Sequence, residues 1–197
     1  MELFYTPTSP YSRKILLVAD HLGLSERITM TLLNPLEDKE GRLAAANPLK
    51  KIPTLVLDNG EAVYDSPLIA EVLFNLADAP ARAFDDRLKH LKMQVLADGI
   101  MDAAVSSQME KIRPDAEQST YWQGRWQAAI LRAVGQFDES MLADAEDWHL
   151  GSMSMACALD YLILRHPELD WSSAHPKTDH WYRQIVKKAI MIATDPK

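Results

Sequence analysis

An α/β domain followed by an all-helical half is the fold class that this sequence predicts. Short apolar runs alternate with helical patterns as far as Asn75, whereas from Asp85 onward strand signals vanish and spacings of three or four residues take over. All five tryptophans (Trp122, Trp126, Trp148, Trp171 and Trp181) fall after residue 120, so the two halves build different cores. A length of 197 residues fits one large domain or two small ones, and the switch in pattern favours two.

The elements follow in order. Leu3-Phe4-Tyr5 reads as a first strand and Pro10 to His21 as a first helix. Pro10 fits the first helical position, where its missing N–H costs nothing, and Ser9 is then the natural N-cap. Ile28 to Thr31, Thr54 to Leu57 and Ala62 to Tyr64 read as three further strands. Asp58-Asn59-Gly60 between the last two is a hairpin signal, because Asn and Gly tolerate positive φ, so these strands are expected to be antiparallel. Ser66 to Asn75 reads as a second helix. The stretch Asp78-Ala79-Pro80-Ala81-Arg82-Ala83 lacks apolar periodicity and contains a proline. The chain is therefore divided into a domain over 1–77, a linker over 78–84 and a helical domain over 85–197. In the last of these the clearest stripe is Trp122, Trp126, Ile130, Ala133, Phe137 and Met141.

Composition excludes several classes. A net charge of −7, spread over both halves, offers no basic nucleic-acid surface. A single cysteine, Cys157, rules out an intrachain disulfide, a CxxC redox pair and a cysteine zinc cluster, and it favours a reducing, cytoplasmic setting. No stretch approaches the length of a membrane span or a signal peptide. His166, His175 and His180 fit no zinc spacing and read as surface or packing residues, so no metal is expected.

Three stretches can carry chemistry. Ser9 opens a helix, where free N–H groups and the helix dipole favour a thiolate, phosphate or carboxylate. In Lys50-Lys51-Ile52-Pro53-Thr54-Leu55 a proline enters a strand-like run, which places it at a strand start or edge and leaves the Ile52 backbone available to an extended ligand. Asp65-Ser66-Pro67 opens a second helix straight after a strand, with a hydroxyl for a ligand carboxylate and an acid for an ammonium group. Ser9 and Ser66 also read as plain helix caps. Tyr5 and Ser12 are alternatives to Ser9 as the main donor, and Arg13 reads as an exposed helix charge. Asp98 and Asp102 share a helix face, which suits solvent or a domain interface. Cys157 reads as a buried structural thiol, and Met101 and Met109 as packing residues able to line an apolar pocket.

Together these stretches resemble, in order and spacing, the soluble glutathione transferases of the thioredoxin-like superfamily, bacterial serine-type members included. Ala97 to Ala104, Cys157 to Leu162 and His180-Trp181-Tyr182 extend the likeness through the helical half. The resemblance implies a thioredoxin-like N-terminal domain and an all-α C-terminal domain. It implies that Ser9 donates to the glutathione sulfur, with glutathione as co-substrate. Lys51 is then placed near the glycine carboxylate, Ile52 with Pro53 along the cysteinyl part, and Asp65 and Ser66 at the γ-glutamyl end. Tyr11 and Met101 would border the electrophile pocket. A homodimer that conjugates a small apolar electrophile is implied, with a non-catalytic binding or regulatory protein of the same fold as the rival reading. One departure concerns the buried C-terminal helix, whose expected threonine and aspartate capping pair is replaced by His149 and Ser152, so a degraded capping box is expected there.

Overall fold

In the computed structural model, which describes residues 1–39, 41–79, 84–137, 141–142 and 147–196, the first apolar run forms β1 (Glu2–Tyr5) and leads into α1 (Pro10–His21). A parallel neighbour needs a crossover, and α1 supplies it: β2 (Thr29–Leu32) lies parallel to β1, with Leu3 opposite Met30. Next come α2 (Arg42–Ala46), β3 (Thr54–Val56), β4 (Ala62–Val63) and α3 (Ser66–Leu76). The strand order is β2-β1-β3-β4, with β3 antiparallel to both of its neighbours. The hairpin forms as expected: Gly60 has a φ of 86° and donates to the Leu57 carbonyl at 2.9 Å, while Asn59 Oδ1 accepts from the Glu61 N–H at 3.0 Å.

The described residues divide into two compact units, one of residues 1–79 with 190–196 and one within residues 84–189. The sequence reading assigned all of 85–197 to the helical domain, yet residues 190–196 group with the first unit. Arg13 is one link between them. Rather than an exposed helix charge, it is a buried side chain whose guanidinium donates to the Met191 carbonyl and the Thr194 hydroxyl. Of the expected linker, residues 80–83 lie outside the described residues, and Phe84 already belongs to the next helix. The core of the first unit is Leu3, Phe4, Ile15, Leu17, Val18, Leu55, Ile69 and Leu73, and α1 packs against α3.

The second unit contains α4 (Phe84–Lys111), α5 (Thr120–Val134), α6 (Leu150–Arg165), α7 (Trp171–Ala174) and α8 (Pro176–Ile185), and α9 (Ala189–Ala193) leads back to the first. Every residue of α6 from Gly151 to Leu162 is buried, Cys157 included, as the reading of that thiol required. At Gly151 a Cβ would stand 2.7 Å from the His90 carbonyl oxygen and 3.0 Å from Met93 Cβ, so α4 and α6 meet at a distance only glycine allows. The capping box expected to be degraded is intact. His149 Nδ1 accepts from the N–H groups of Gly151 and Ser152 at 3.0 and 3.3 Å, and Ser152 Oγ accepts from the His149 N–H at 2.9 Å. An unprotonated imidazole nitrogen thus does the work of a hydroxyl or carboxylate. The tryptophan stripe is buried only in part, since α5 ends at Val134 and Trp122 at its start is 48% exposed, whereas Ile130 and Phe137 are buried.

Candidate functional site

The topology gathers the three chemistry-bearing stretches. Phe4, near the C-terminal end of β1, stands opposite Thr54, the first residue of β3, and Leu55 stands opposite Val63, the last of β4. Because β3 runs against both neighbours, the exit of β1, the entrance of β3 and the exit of β4 lie at one end of the sheet. Ser9, Ile52-Pro53 and Asp65-Ser66 follow or precede those strand ends by only a few residues. Met101 is not in this unit; it is fully buried in α4 of the second.

At the opening of α1, Ser9 has extended backbone angles (φ −77°, ψ 118°) and caps the helix, its Oγ accepting from the Ser12 N–H at 3.2 Å. That bond uses a lone pair. The hydroxyl hydrogen has no acceptor among the described residues, and Ser9 is only half-buried. Ser12, the alternative donor one turn on, has a wholly buried Oγ without a hydrogen-bond partner, out of reach of an incoming ligand. Tyr5 and Tyr11 are half-buried.

The loop before β3 is held from behind by Asn47, a buried residue to which the sequence reading gave no role. Its Nδ2 donates to the Lys51 carbonyl at 3.0 Å and to Thr54 Oγ1 at 3.1 Å, while its Oδ1 accepts from the Leu49 N–H at 2.9 Å. One amide thereby satisfies two backbone groups and the Thr54 hydroxyl, and the Lys51 side chain stays exposed. The signal was present in the Asn47-Pro48 dipeptide, a turn initiator. The Ile52–Pro53 peptide bond is cis, and Pro53 is buried. The Ile52 backbone N–H and carbonyl have no partner among the described residues, and its side chain packs against the cluster of Phe4, Leu33 and Leu43. An unpaired strand entrance of this kind can bond an extended ligand.

At the opening of α3, Asp65 occupies the N-cap without a side-chain cap bond, and its carboxylate is exposed. Ser66 is only 2% exposed, yet its hydroxyl has no partner among the described residues. The Tyr64–Asp65 peptide is also cis. One sheet end therefore presents two helix N-termini, an exposed ammonium, an exposed carboxylate, two hydroxyls with donors to spare and a free length of backbone. Such a set suits a small, extended, zwitterionic molecule with an anionic centre. Among the described residues no group of three His, Cys, Asp or Glu side chains is placed to hold a metal ion, and no helix is long and apolar enough to cross a membrane.

Residues 8–76 match the family described as glutathione S-transferase, N-terminal domain. The GST-like protein YibF of Escherichia coli strain K12 is 33% identical, over 100% of this chain and 98% of its own. A maleylacetoacetate isomerase of Pseudomonas aeruginosa is 27% identical over 68% of this chain and 66% of its own. Among solved structures, a glutathione transferase family member from Pseudomonas fluorescens Pf-5 with bound glutathione superposes with a TM-score of 0.94 at 34% identity, covering 100% of this chain and 98% of that one. A glutathione S-transferase from Methylobacillus flagellatus, also with glutathione bound, gives 0.88 at 32% identity over 100% and 99%.

Proposed function

The chain belongs to the glutathione S-transferase family, and from that premise we propose that it binds glutathione at the sheet end of the first unit and holds the sulfur as a thiolate against Ser9. The observation that carries this reading is the Ser9 hydroxyl, which accepts its helix-capping bond and keeps its hydrogen for a ligand. The wholly buried Oγ of Ser12 supports Ser9 over its neighbour. In the same reading Lys51 faces the glycine carboxylate, the Ile52-Pro53 stretch pairs with the cysteinyl backbone, and Asp65 and Ser66 take the γ-glutamyl ammonium and carboxylate. Tyr11 borders the electrophile.

The mechanism is a matter of charge placement. A free cysteinyl thiol has a pKa near 8.5, so only a few percent is thiolate at neutral pH, and the thiolate is the nucleophile. Lowering that pKa by about two units, roughly 2.7 kcal/mol, makes the anion predominate. A hydrogen bond to a charged acceptor contributes about 1.5–3 kcal/mol and a helix N-terminus about 0.3–1 kcal/mol, so the two together reach the required size. The sulfur then uses its electron pair to bond an electrophilic carbon, and a leaving group departs or an adjacent double bond takes up a proton. Ser9 remains a donor throughout and forms no bond to the substrate.

Replacing Ser9 by alanine is the direct test. We expect glutathione to bind the Ser9→Ala variant while thiolate absorbance and conjugation of a thiol-reactive electrophile fall by at least tenfold. Unchanged turnover removes Ser9 from its role. The non-catalytic reading is distinguished by calorimetry, because it requires no saturable glutathione binding by the unmodified protein. The proposal includes a homodimer in the cytoplasm: the one cysteine is buried and free, which suits a reducing setting. Sedimentation at twice the 22.2 kDa chain mass is the expected result.

A further inference from the structure

Resting on the reading of Ser9 given above, we propose that Arg13 is a positioning residue for thiol activation: its buried guanidinium fastens the first turn of α1 to residues 191–194 and so fixes the direction in which Ser9 presents its hydroxyl. Arg13 closes the helical turn that Ser9 opens, its backbone N–H donating to the Ser9 carbonyl at 3.0 Å. Its side chain, 5% exposed, reaches residues 178 and 181 positions away. Nη2 donates to the Met191 carbonyl at 2.6 Å, and Nε donates to Thr194 Oγ1 at 3.0 Å. The polarity is consistent, because the Thr194 hydroxyl gives its own hydrogen to the Ile190 carbonyl at 2.7 Å and meets Arg13 as an acceptor.

The Met191 carbonyl belongs to the last turn of α9, where helix carbonyls lack an intrahelical partner and a cation is favoured, and the Thr194 hydroxyl follows just past the helix end. Met191 is buried beside them, so the segment is anchored by an apolar side chain as well as by the fork. A buried cation is costly to keep, and covering α1 alone would need only an aliphatic residue. What the guanidinium adds is direction. Two donors in one rigid plane, bonded to two fixed oxygens, hold the helix turn against both sliding and rotation, which a flexible lysine with a single point charge does not. A hydroxyl that must meet a sulfur at hydrogen-bond distance is sensitive to displacements of that size.

Arg13→Lys and Thr194→Val, each in the full chain, test this. The pH titration of bound glutathione thiolate by ultraviolet absorbance, glutathione affinity, kcat, KM and melting temperature are measured together. The expected result for Arg13→Lys is a thiol titration moved up by about one pH unit and kcat lower by about tenfold, with glutathione affinity held within about twofold. A smaller shift in the same direction is expected for Thr194→Val, which keeps the charge and removes one acceptor. Should Arg13→Lys fail to fold, Thr194→Val decides. A lowered melting temperature with an unmoved thiolate titration overturns the proposal, since Arg13 then only stabilises the fold. Failure of the Ser9 reading is separate: it is registered by Ser9→Ala leaving the titration of the unmodified protein unchanged.

Discussion

The two units treat their polar groups in opposite ways. At one sheet end the first unit leaves the Ser9 hydroxyl hydrogen, the Ser66 hydroxyl, the Ile52 backbone and the Asp65 carboxylate without protein partners among the described residues. The second unit closes most of its buried polar groups within the protein, the Ser107 hydroxyl excepted. His149 and Ser152 complete a reciprocal cap, the Tyr182 hydroxyl donates to Asp160 Oδ1 at 2.5 Å, and His166 bonds the Ala104 carbonyl at 2.9 Å. An unpaired buried donor or acceptor costs about 1–3 kcal/mol, a cost that in this cluster falls on the buried Ser66 hydroxyl, while the half-buried and exposed members are open to water or a ligand. The contrast separates a surface open to a ligand from an interior closed largely on itself.

That contrast yields predictions of decreasing size. The largest concerns the interior: Gly151→Ala drives a methyl group into the His90 carbonyl, and overpacking of this kind costs about 1–3 kcal/mol, read as a lower urea midpoint with an unchanged slope. Glutathione affinity of the folded fraction is expected to stay the same. The converse is Asp65→Ala, which removes an exposed carboxylate that has no bonding partner among the described residues. Its melting temperature is expected to hold while glutathione binds about tenfold more weakly by calorimetry. A variant that loses stability but not affinity would reverse the distinction between the units.

The smallest effect is a pH dependence. Burial pushes the His166 pKa below that of a free histidine, and the neighbouring Lys111 ammonium acts in the same direction, against the opposing Ala104 and Glu168 contacts. Its Nε2–H donates to the Ala104 carbonyl, so Nδ1 is left to accept from Lys111 at 3.0 Å. The neutral ring is the form that the fold stabilises. With the folded value below the unfolded one, near 6.5, this stabilisation is complete above about pH 6.5 and drains away as the pH falls through the lower folded value. The urea midpoint is expected to fall between pH 7.5 and 5.5, with a shallower slope in His166→Gln. Equal slopes in the two proteins would remove His166 from the account.

How legible was all this in the sequence? The strands, the hairpin and the two helix openings were readable because short apolar runs, an Asn-Gly pair and Ser-Pro caps are local signals. The helix α2 was not, since five residues are too few to show a period and only Leu43 is buried. The His149 cap was misread because histidine rarely plays that part; it does so here once stacked on His90 with ring centroids 3.5 Å apart. Asn47 carried a turn signal whose three bonds depend on where Lys51 and Thr54 come to rest. The role of Arg13 lay beyond any local reading, because its partners are far along the chain and an arginine in an amphipathic helix has the pattern of a solvent-facing one.

The distance from Arg13 to Thr194 also orders events during synthesis. Domains generally fold as they leave the ribosome, beginning with the first one made. Here the α/β unit emerges early, yet the oxygens that receive its buried guanidinium are translated 181 positions later. Until then water must solvate that cation, and the helix that opens at Ser9 waits for its fastening. The half of the protein that starts to fold first is thus the half that finishes last.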